Sequence, residues 1–241
     1  MDKENKIFVI GMLSVIIGNL LGLMMAAGMV WADLEGSLFL FGLIGEKTTR
    51  RLDCPVLMTT NETREVTLSL KNPSQEQDTR FVTTTISEGY LTLVREIKQN
   101  VSLGPGETKE LSWEIFPEDA VYRKIVLFRV YVKGSYPYPS LEANCGVLVF
   151  DIPLLKGSQV MGLTLGFTFL MMLAGNSILQ FQYRSARLGP RRQRMSRAMY
   201  IMSILIAVDI LISYLGFWVY GLILLVVIVM MIMVLNLQVA L

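Results

Sequence analysis

"IFVIGMLSVIIGNLLGLMMAAGMVW", residues 7–31, contains no ionisable side chain. A helix crosses the roughly 30 Å hydrocarbon core of a bilayer with about 20 apolar residues, so this stretch of 25 residues predicts a membrane-spanning helix. The apolar part of a cleaved secretory signal is shorter, about 7–15 residues. We therefore interpret 7–31 as a retained signal anchor that follows a short N-terminal segment, 1–6.

Three further spans are expected toward the C-terminus. The second is predicted at 153–182, where most residues are apolar. The apolar stretch that begins at residue 199 would reach about 65 Å as a single helix, twice the hydrocarbon thickness, so it must fold back. We predict the turn at the aromatic residues 217–221, between a third span at 199–216 and a fourth at 222–241.

A basic segment, 183–198, joins the second and third predicted spans. Short loops rich in Lys and Arg remain on the cytoplasmic side of a membrane. This rule predicts cytoplasmic N- and C-termini and an extracytoplasmic position for residues 32–152. The arginines could set orientation alone or also bind anionic lipid headgroups. Nucleic acid is not an expected partner, because no aromatic residues for base stacking are interleaved with them. The arginines are Arg184, Arg187, Arg191, Arg192, Arg194 and Arg197.

Residues 53–152, after a juxtamembrane or interfacial segment at 32–52, have a different pattern. "REVTLSLK" (64–71) alternates apolar and polar residues, which is typical of a half-buried strand. About seven such segments, separated by turn residues, predict an antiparallel β-sandwich. The predicted fold class is thus an α-helical integral membrane protein with four spans and an inserted all-β domain.

Two stretches carry a family resemblance: "VTLSLKNPS" (66–74) and "VSLGPGETKELSWEI" (101–115). A strand that ends in Asn-Pro-Ser, followed by a Leu-Gly-Pro-Gly-Glu turn into another strand, resembles bacterial and archaeal immunoglobulin-like surface modules, including the CARDB-like and fibronectin-like kinds. The resemblance covers only the β region. It implies an immunoglobulin-like sandwich with a role in adhesion, spacing or assembly.

Cys54 and Cys145 lie near the two ends of the predicted sandwich. On the oxidising side of the membrane they are expected to form a disulfide, with two buried thiols as the alternative. Two thiols in a chain without histidine cannot complete a zinc site, so no metal is predicted. Asn61 and Asn100 match the N-glycosylation pattern, which matters only in a host that glycosylates.

Small residues recur at helical spacing in the first two spans. They are Ser14, Gly18, Gly22 and Ala26 in the first span and Gly162 and Gly166 in the second. Such residues let a second helix approach closely in lipid. They could pack against each other or against a partner, or they could be incidental glycines.

Asp209 lies near the middle of the third predicted span, where an unpaired acid is costly. Asn19 is expected at a similar depth and Thr168 about one turn away, and Asn176 is a further polar residue of the second span. A proton or cation relay is one interpretation. The other is structural: an interhelical hydrogen bond, or a salt bridge to another subunit.

Tyr136 and Tyr138 stand between prolines in "SYPYPS" and could form an exposed recognition loop or an ordinary hairpin connection. The chain has no histidine, so Ser–His and Cys–His nucleophile pairs are impossible. No phosphate-binding glycine loop is present, and no cofactor is expected. We therefore predict a non-enzymatic accessory or scaffolding subunit that self-associates or docks to other membrane proteins. A transporter or channel component that uses Asp209 is the alternative.

Overall fold

The computed structural model describes residues 3–39, 46–47, 52–134, 139–184 and 190–240. The chain divides into two compact units. The helical unit comprises Met1–Val30 and Val160–Leu241, and the β-domain comprises Trp31–Gln159.

Four helices are present in the described residues: α1 (Lys3–Leu38), α2 (Gly157–Arg184), α3 (Pro190–Tyr214) and α4 (Trp218–Ala240). In α1, α2 and α3 the described residues are long and apolar enough to cross a membrane. The protein is therefore a membrane protein. The apolar described stretch of α4, Trp218–Val234, is shorter than a full span, so a fourth crossing stays a prediction.

The helix boundaries differ from the predicted ones. The turn between α3 and α4 lies at 215–217, earlier than the predicted 217–221, because Gly216 adopts φ 74° and Trp218 already begins α4. Glycine populates this left-handed conformation without steric cost. The predicted loop 183–198 is largely helical, since α3 begins at Pro190. Proline is tolerated in the first turn of a helix.

Two contacts define the relative direction of α1 and α3. Phe8 of α1 lies beneath the Arg192 guanidinium of α3, with 5.1 Å between Cζ and the ring centroid. At the other end, the position that a Gly221 Cβ would take in α4 is 2.9 Å from Val30 Cγ2 in α1. The N-terminal ends of α1 and α3 are thus on one side of the helical unit.

The β-domain contains eight strands in the described residues: β1 (Glu46–Lys47), β2 (Leu57–Thr59), β3 (Arg64–Lys71), β4 (Asp78–Glu88), β5 (Tyr90–Leu103), β6 (Thr108–Ile115), β7 (Ile125–Val132) and β8 (Leu141–Phe150). One sheet has the order β1-β8-β7-β4-β5, with β2 also paired to β8. The second sheet is the antiparallel pair β3-β6.

The two sheets enclose one apolar core. Alternate residues of β3 and β6 point into it, including Val66, Leu68 and Trp113, while Phe128 and Val147 enter from the larger sheet. The Trp113 and Phe128 rings pack with centroids 5.7 Å apart. Two layers are what the alternating pattern predicts. The sheets are not entirely antiparallel, however, because β1 and β2 each pair with β8 in parallel.

Residues 32–38 of the predicted juxtamembrane segment are helical instead, since α1 continues to Leu38. Gly36 lies against the backbone of Cys145, and Gly146 lies against the backbone of Ala32. A side chain at either glycine would clash, so the pair lets the helix end rest directly on β8.

Candidate functional site

The first feature of the helical unit is the close contact of α1 with α2 and α3. A Cβ at Gly18 would lie 2.9 Å from the Met172 nitrogen of α2. A Cβ at Gly22 would lie 2.7 Å from Ile206 Cγ2 of α3. Ala26 is fully buried and Ser14 is half-buried. Because glycine, alanine and serine occupy these positions, the backbones of α1, α2 and α3 can approach one another closely.

Sequence analysis did not single out Gly11 and Gly175, which lie in the same contact. A Cβ at Gly175 would be 2.7 Å from the Val15 nitrogen, and one at Gly11 would be 2.9 Å from Ile178 Cγ2. Gly11 falls at helical spacing from Ser14 and Gly18, so its signal was present in the sequence. Gly175 lies nine residues after Gly166, on the opposite face of α2, so the spacing of the α2 glycines did not indicate it.

Gly162 and Gly166 of α2 lie elsewhere. Nothing is within 4 Å of the Cβ position at either glycine. Neither glycine therefore packs against another described helix of this chain. Together with the exposed Leu163 and Leu170 they form a surface that we call the open face of α2.

The second feature is a chain of hydrogen bonds across three helices. The Ser203 hydroxyl of α3 donates to Asn19 Oδ1 of α1 at 2.8 Å, and Asn176 Nδ2 of α2 donates to Ser203 Oγ at 3.0 Å. Asn176 Nδ2 also donates to the Met172 carbonyl. Ser203 thus links two asparagines that the sequence marked separately, and it was not itself predicted.

The third feature is Asp209, which is fully buried in the helical unit. Ser213 Oγ, one turn along α3, donates to Asp209 Oδ1 at 3.4 Å. Gly221 of α4 covers the pair, since its Cβ position is 2.5 Å from Ser213 Oγ and 3.3 Å from Asp209 Oδ1. The carboxyl group is therefore enclosed by α3 and α4.

In the described part of the helical unit, three buried polar atoms have no hydrogen-bond partner: Asn19 Nδ2, Thr168 Oγ1 and Asp209 Oδ2. Thr168 does not join the Ser203 network. A buried polar group without a partner costs about 1–3 kcal/mol. These three atoms thus retain hydrogen-bonding capacity in the interior of the bundle.

The arginines and the sequons fall in different places. Arg192, Arg194 and Arg197 are exposed in the first turns of α3, and Arg184 and Arg191 lie in helices. Arg187 lies outside the described residues, as do Tyr136 and Tyr138. Asn100 is exposed on β5, whereas the exposed Asn61 donates through Nδ2 to the Pro153 carbonyl at 2.7 Å.

The β-domain contains the Cys54–Cys145 disulfide that the sequence predicts, with a separation of 91 residues. Asp119 of the β-domain is buried beside Arg95, with 2.7 Å between Asp119 Oδ2 and Arg95 Nη2. Burial raises the pKa of Asp119, while the hydrogen bond from the Phe116 N–H and the charge of Arg95 oppose that rise. These contacts give Asp119 a structural role in the turn after β6.

No group of three or more His, Cys, Asp or Glu residues in the described ranges could hold a metal ion. The buried polar side chains of the described helical unit offer hydrogen bonding and, at Asp209, a single carboxyl group.

No family model and no curated protein matches this chain. Among solved structures, it is similar to the CARDB domain of a Pyrococcus furiosus protein, with 18% identity and a TM-score of 0.34 over 43% of this chain and 93% of that one. That domain was solved in complex with di-metal ions.

Larger enzymes are matched as well. A Bacteroides uniformis β-glucuronidase shares 20% identity at a TM-score of 0.30, over 38% of this chain and 12% of that one. The DNA glycosylase AlkC of Pseudomonas fluorescens shares 17% identity at a TM-score of 0.30, over 42% and 29%. This chain thus spans a small part of those enzymes, and the likeness carries no statement about activity.

Proposed function

We propose that this protein is a non-enzymatic accessory or scaffolding subunit of a membrane complex. It presents an immunoglobulin-like domain outside the cytoplasm, and its four spans dock to partner helices. The observation that carries the proposal is the open face of α2. This face combines two glycines that have nothing within 4 Å of their Cβ positions with exposed leucines.

Two further observations support docking through α2. Only 22% of the most apolar stretch of α2 is buried within this chain, against 33% of the corresponding stretches of α1 and α3. Its small residues are also four apart, the spacing that lets two helices pack closely in lipid. A partner helix could therefore approach α2 more closely than any other described span.

The experiment compares two variants of the full chain in mild detergent. Gly162→Leu with Gly166→Leu should abolish the complex, because bulk at these positions keeps a partner helix away. Leu13→Phe with Leu20→Phe adds volume at exposed positions of α1, outside the open face of α2, and should retain it. Native mass spectrometry gives the stoichiometry of each. An unchanged complex in the glycine variant would refute docking through this face.

The proposed topology places the arginine segment in the cytoplasm and the β-domain outside. Support comes from the positive-inside rule and from the position of Arg192 beside the N-terminal part of α1, which itself carries Lys3 and Lys6. Arg194→Cys and Lys109→Cys, probed separately with an impermeant maleimide on intact cells, should react only at position 109. Reaction at both positions without lysis would contradict the topology.

Transport is the second candidate, and the unpartnered Oδ2 of Asp209 favours it. A carboxyl group that exchanges a proton or cation needs a free oxygen, which Asp209 has. Asp209→Asn keeps the size and removes the charge. A variant that keeps the complex but loses an ion flux in vesicles would support transport, and a variant with unchanged assembly and flux would refute it.

A further inference from the structure

We infer that the loop between β8 and α2 is a lipid anchor: Leu154 and Leu155 insert into the interfacial layer of the bilayer and fix the rim of the β-domain to the membrane surface. The loop comprises residues 151–156, and we call it the β8–α2 loop. The inference does not depend on the proposed function or on which side of the membrane the β-domain occupies.

The two leucines point away from the domain. Leu154 is 91% exposed and Leu155 is 37% exposed, and Lys156 follows them on the surface. Single exposed leucines are ordinary on protein surfaces. Two in succession at the start of a membrane span are different, because the solvent there changes from water to lipid.

The chain itself keeps Leu154 close to the membrane. The candidate span in α2 begins at Gly157, three residues later. Three residues reach at most about 11 Å even when fully extended. The 26 residues of that span measure about 39 Å as a helix, so about 9 Å beyond the roughly 30 Å hydrocarbon core extends into the interfacial layer at one or both ends. Leu154 is therefore within reach of lipid.

The β8–α2 loop is also held rigid by the turn before β3. Thr60 Oγ1 donates to Asp151 Oδ1 at 2.9 Å, and Asn61 Nδ2 donates to the Pro153 carbonyl at 2.7 Å. Glu62 Oε1 accepts from the Gly157 N–H at 2.6 Å and from the Thr59 N–H at 2.9 Å.

These bonds have two consequences. Glu62 satisfies an N–H at the start of α2, as an acidic cap does. The loop cannot turn the leucines back onto the domain without breaking the bonds. Leu154 and Leu155 are thus presented outward in a fixed geometry, and the ammonium of Lys156 suits the phosphate level beside them. Lipid matches both groups, whereas a protein partner would have to reach the loop at the membrane surface.

The test uses the full chain in phosphatidylcholine vesicles. Leu154→Cys and, as a matched control, Lys109→Cys are each labelled with an NBD maleimide. Because the described cysteines are both in the disulfide, wild-type protein should take up no label and each variant one. Lys109 pairs with Leu70 near the far end of β3, about 20 Å along the strand from Arg64.

The expected result is strong quenching of the probe at 154 by lipids with a shallow doxyl group, with protection from aqueous iodide. The probe at 109 should show the reverse. Iodide quenching of both probes to the same extent would overturn the inference. Protection of position 154 from iodide and from doxyl lipids alike would also overturn it, since that pattern indicates a protein contact.

Discussion

In the β-domain, the fully buried side chains include Val66, Ile86 and Phe128, and charged residues lie mostly outside. In the helical unit, Asn19, Thr168 and Asp209 are buried, while Leu173 and Phe181 are 68% and 76% exposed. Both regions bury apolar and some polar side chains, and they differ in what they expose, since the helical unit carries many large apolar side chains on its surface. Water drives apolar side chains together in the first. In lipid that force is lost, so close backbone contacts and interhelical hydrogen bonds hold the second.

The largest effect that we expect concerns the disulfide of the β-domain. Replacing both Cys54 and Cys145 by Ala should lower the free energy of unfolding of the β-domain by about 4–5 kcal/mol, because the unfolded chain regains the freedom of a loop of about 90 residues. Urea unfolding in detergent, followed by near-UV circular dichroism, measures the loss.

Reduction of wild-type protein is the control and should give a similar loss. The far-UV signal of the helices should persist in both samples, because the disulfide lies within the β-domain. A loss below about 1 kcal/mol would contradict the chain-entropy explanation.

A pair of apolar residues, one buried and one exposed, tests this difference directly. Phe128→Ala removes a fully buried ring that packs on Trp113 and should cost about 3–5 kcal/mol. Leu173→Ala removes an exposed side chain of α2 and should leave the stability of the chain in detergent nearly unchanged. Thermal unfolding of the two variants is compared with wild type. Equal losses would show that Leu173 is not a lipid-facing residue.

A glycine pair tests close contact in the helical unit. Gly22→Leu should destabilise it by about 1–3 kcal/mol, because the new side chain meets Ile206 and Met172 in a packed interface. Gly162→Leu is the matched control, since its Cβ position has no neighbour within 4 Å. Thermal unfolding in detergent compares the two. A larger loss for Gly162→Leu would reverse our assignment of the inner and outer faces.

Removing the hydrogen bond between Ser203 and Asn19 should lower the free energy of unfolding by a smaller amount. A double-mutant cycle with Asn19→Ala and Ser203→Ala is expected to give a coupling energy of about 0.6 kcal/mol, and at most about 1.7, as for other interhelical hydrogen bonds in membranes. The free energies of unfolding of both single variants and the double variant provide it. A cycle of Asn19→Ala with Ser213→Ala is the control and should give no coupling, because Ser213 bonds to Asp209.

The smallest effect concerns pH in the β-domain. Burial raises the folded-state pKa of Asp119, so the stability that its protonated form contributes is complete below the ordinary pKa of Asp and is lost as pH rises through the raised value. Arg95→Gln removes a charge that lowers this pKa and should move the loss to higher pH. The unfolding midpoint, measured from about pH 3 to pH 7, reports the shift.

Lys98→Gln is the matched control for Arg95→Gln. Lys98 pairs with Glu96 at 2.9 Å, but both side chains are about half exposed, so this pair contributes little. If Arg95→Gln and Lys98→Gln changed the pH profile equally, Arg95 would not act on Asp119 in the way its contact indicates.

Much of the fold follows from local pattern. The alternation in 64–71 coincides with β3, and the uncharged stretch 7–31 lies within α1. The ends of the helices were harder to predict from local sequence pattern. α1 continues to Leu38 because Gly36 and Gly146 allow it to rest on β8, and those glycines are more than 100 residues apart in the sequence.

The buried polar residues of the helical unit were likewise only partly predictable from the sequence. The sequence marked Asn19, Asn176 and Asp209 because polar side chains in apolar spans stand out. Ser203 did not stand out, since serine is tolerated in such helices, and only the packing of α1, α2 and α3 brings its hydroxyl between the two amides.

The sequence by itself determined the lengths of the apolar segments, the alternation of the strands and the two cysteines available for pairing. Those features depend on neighbours along the chain. The tertiary structure decided which glycines face another helix, which polar atoms are bonded and where α1 ends. Those features depend on contacts between segments far apart in the chain, and no local pattern specifies the distance between two backbones.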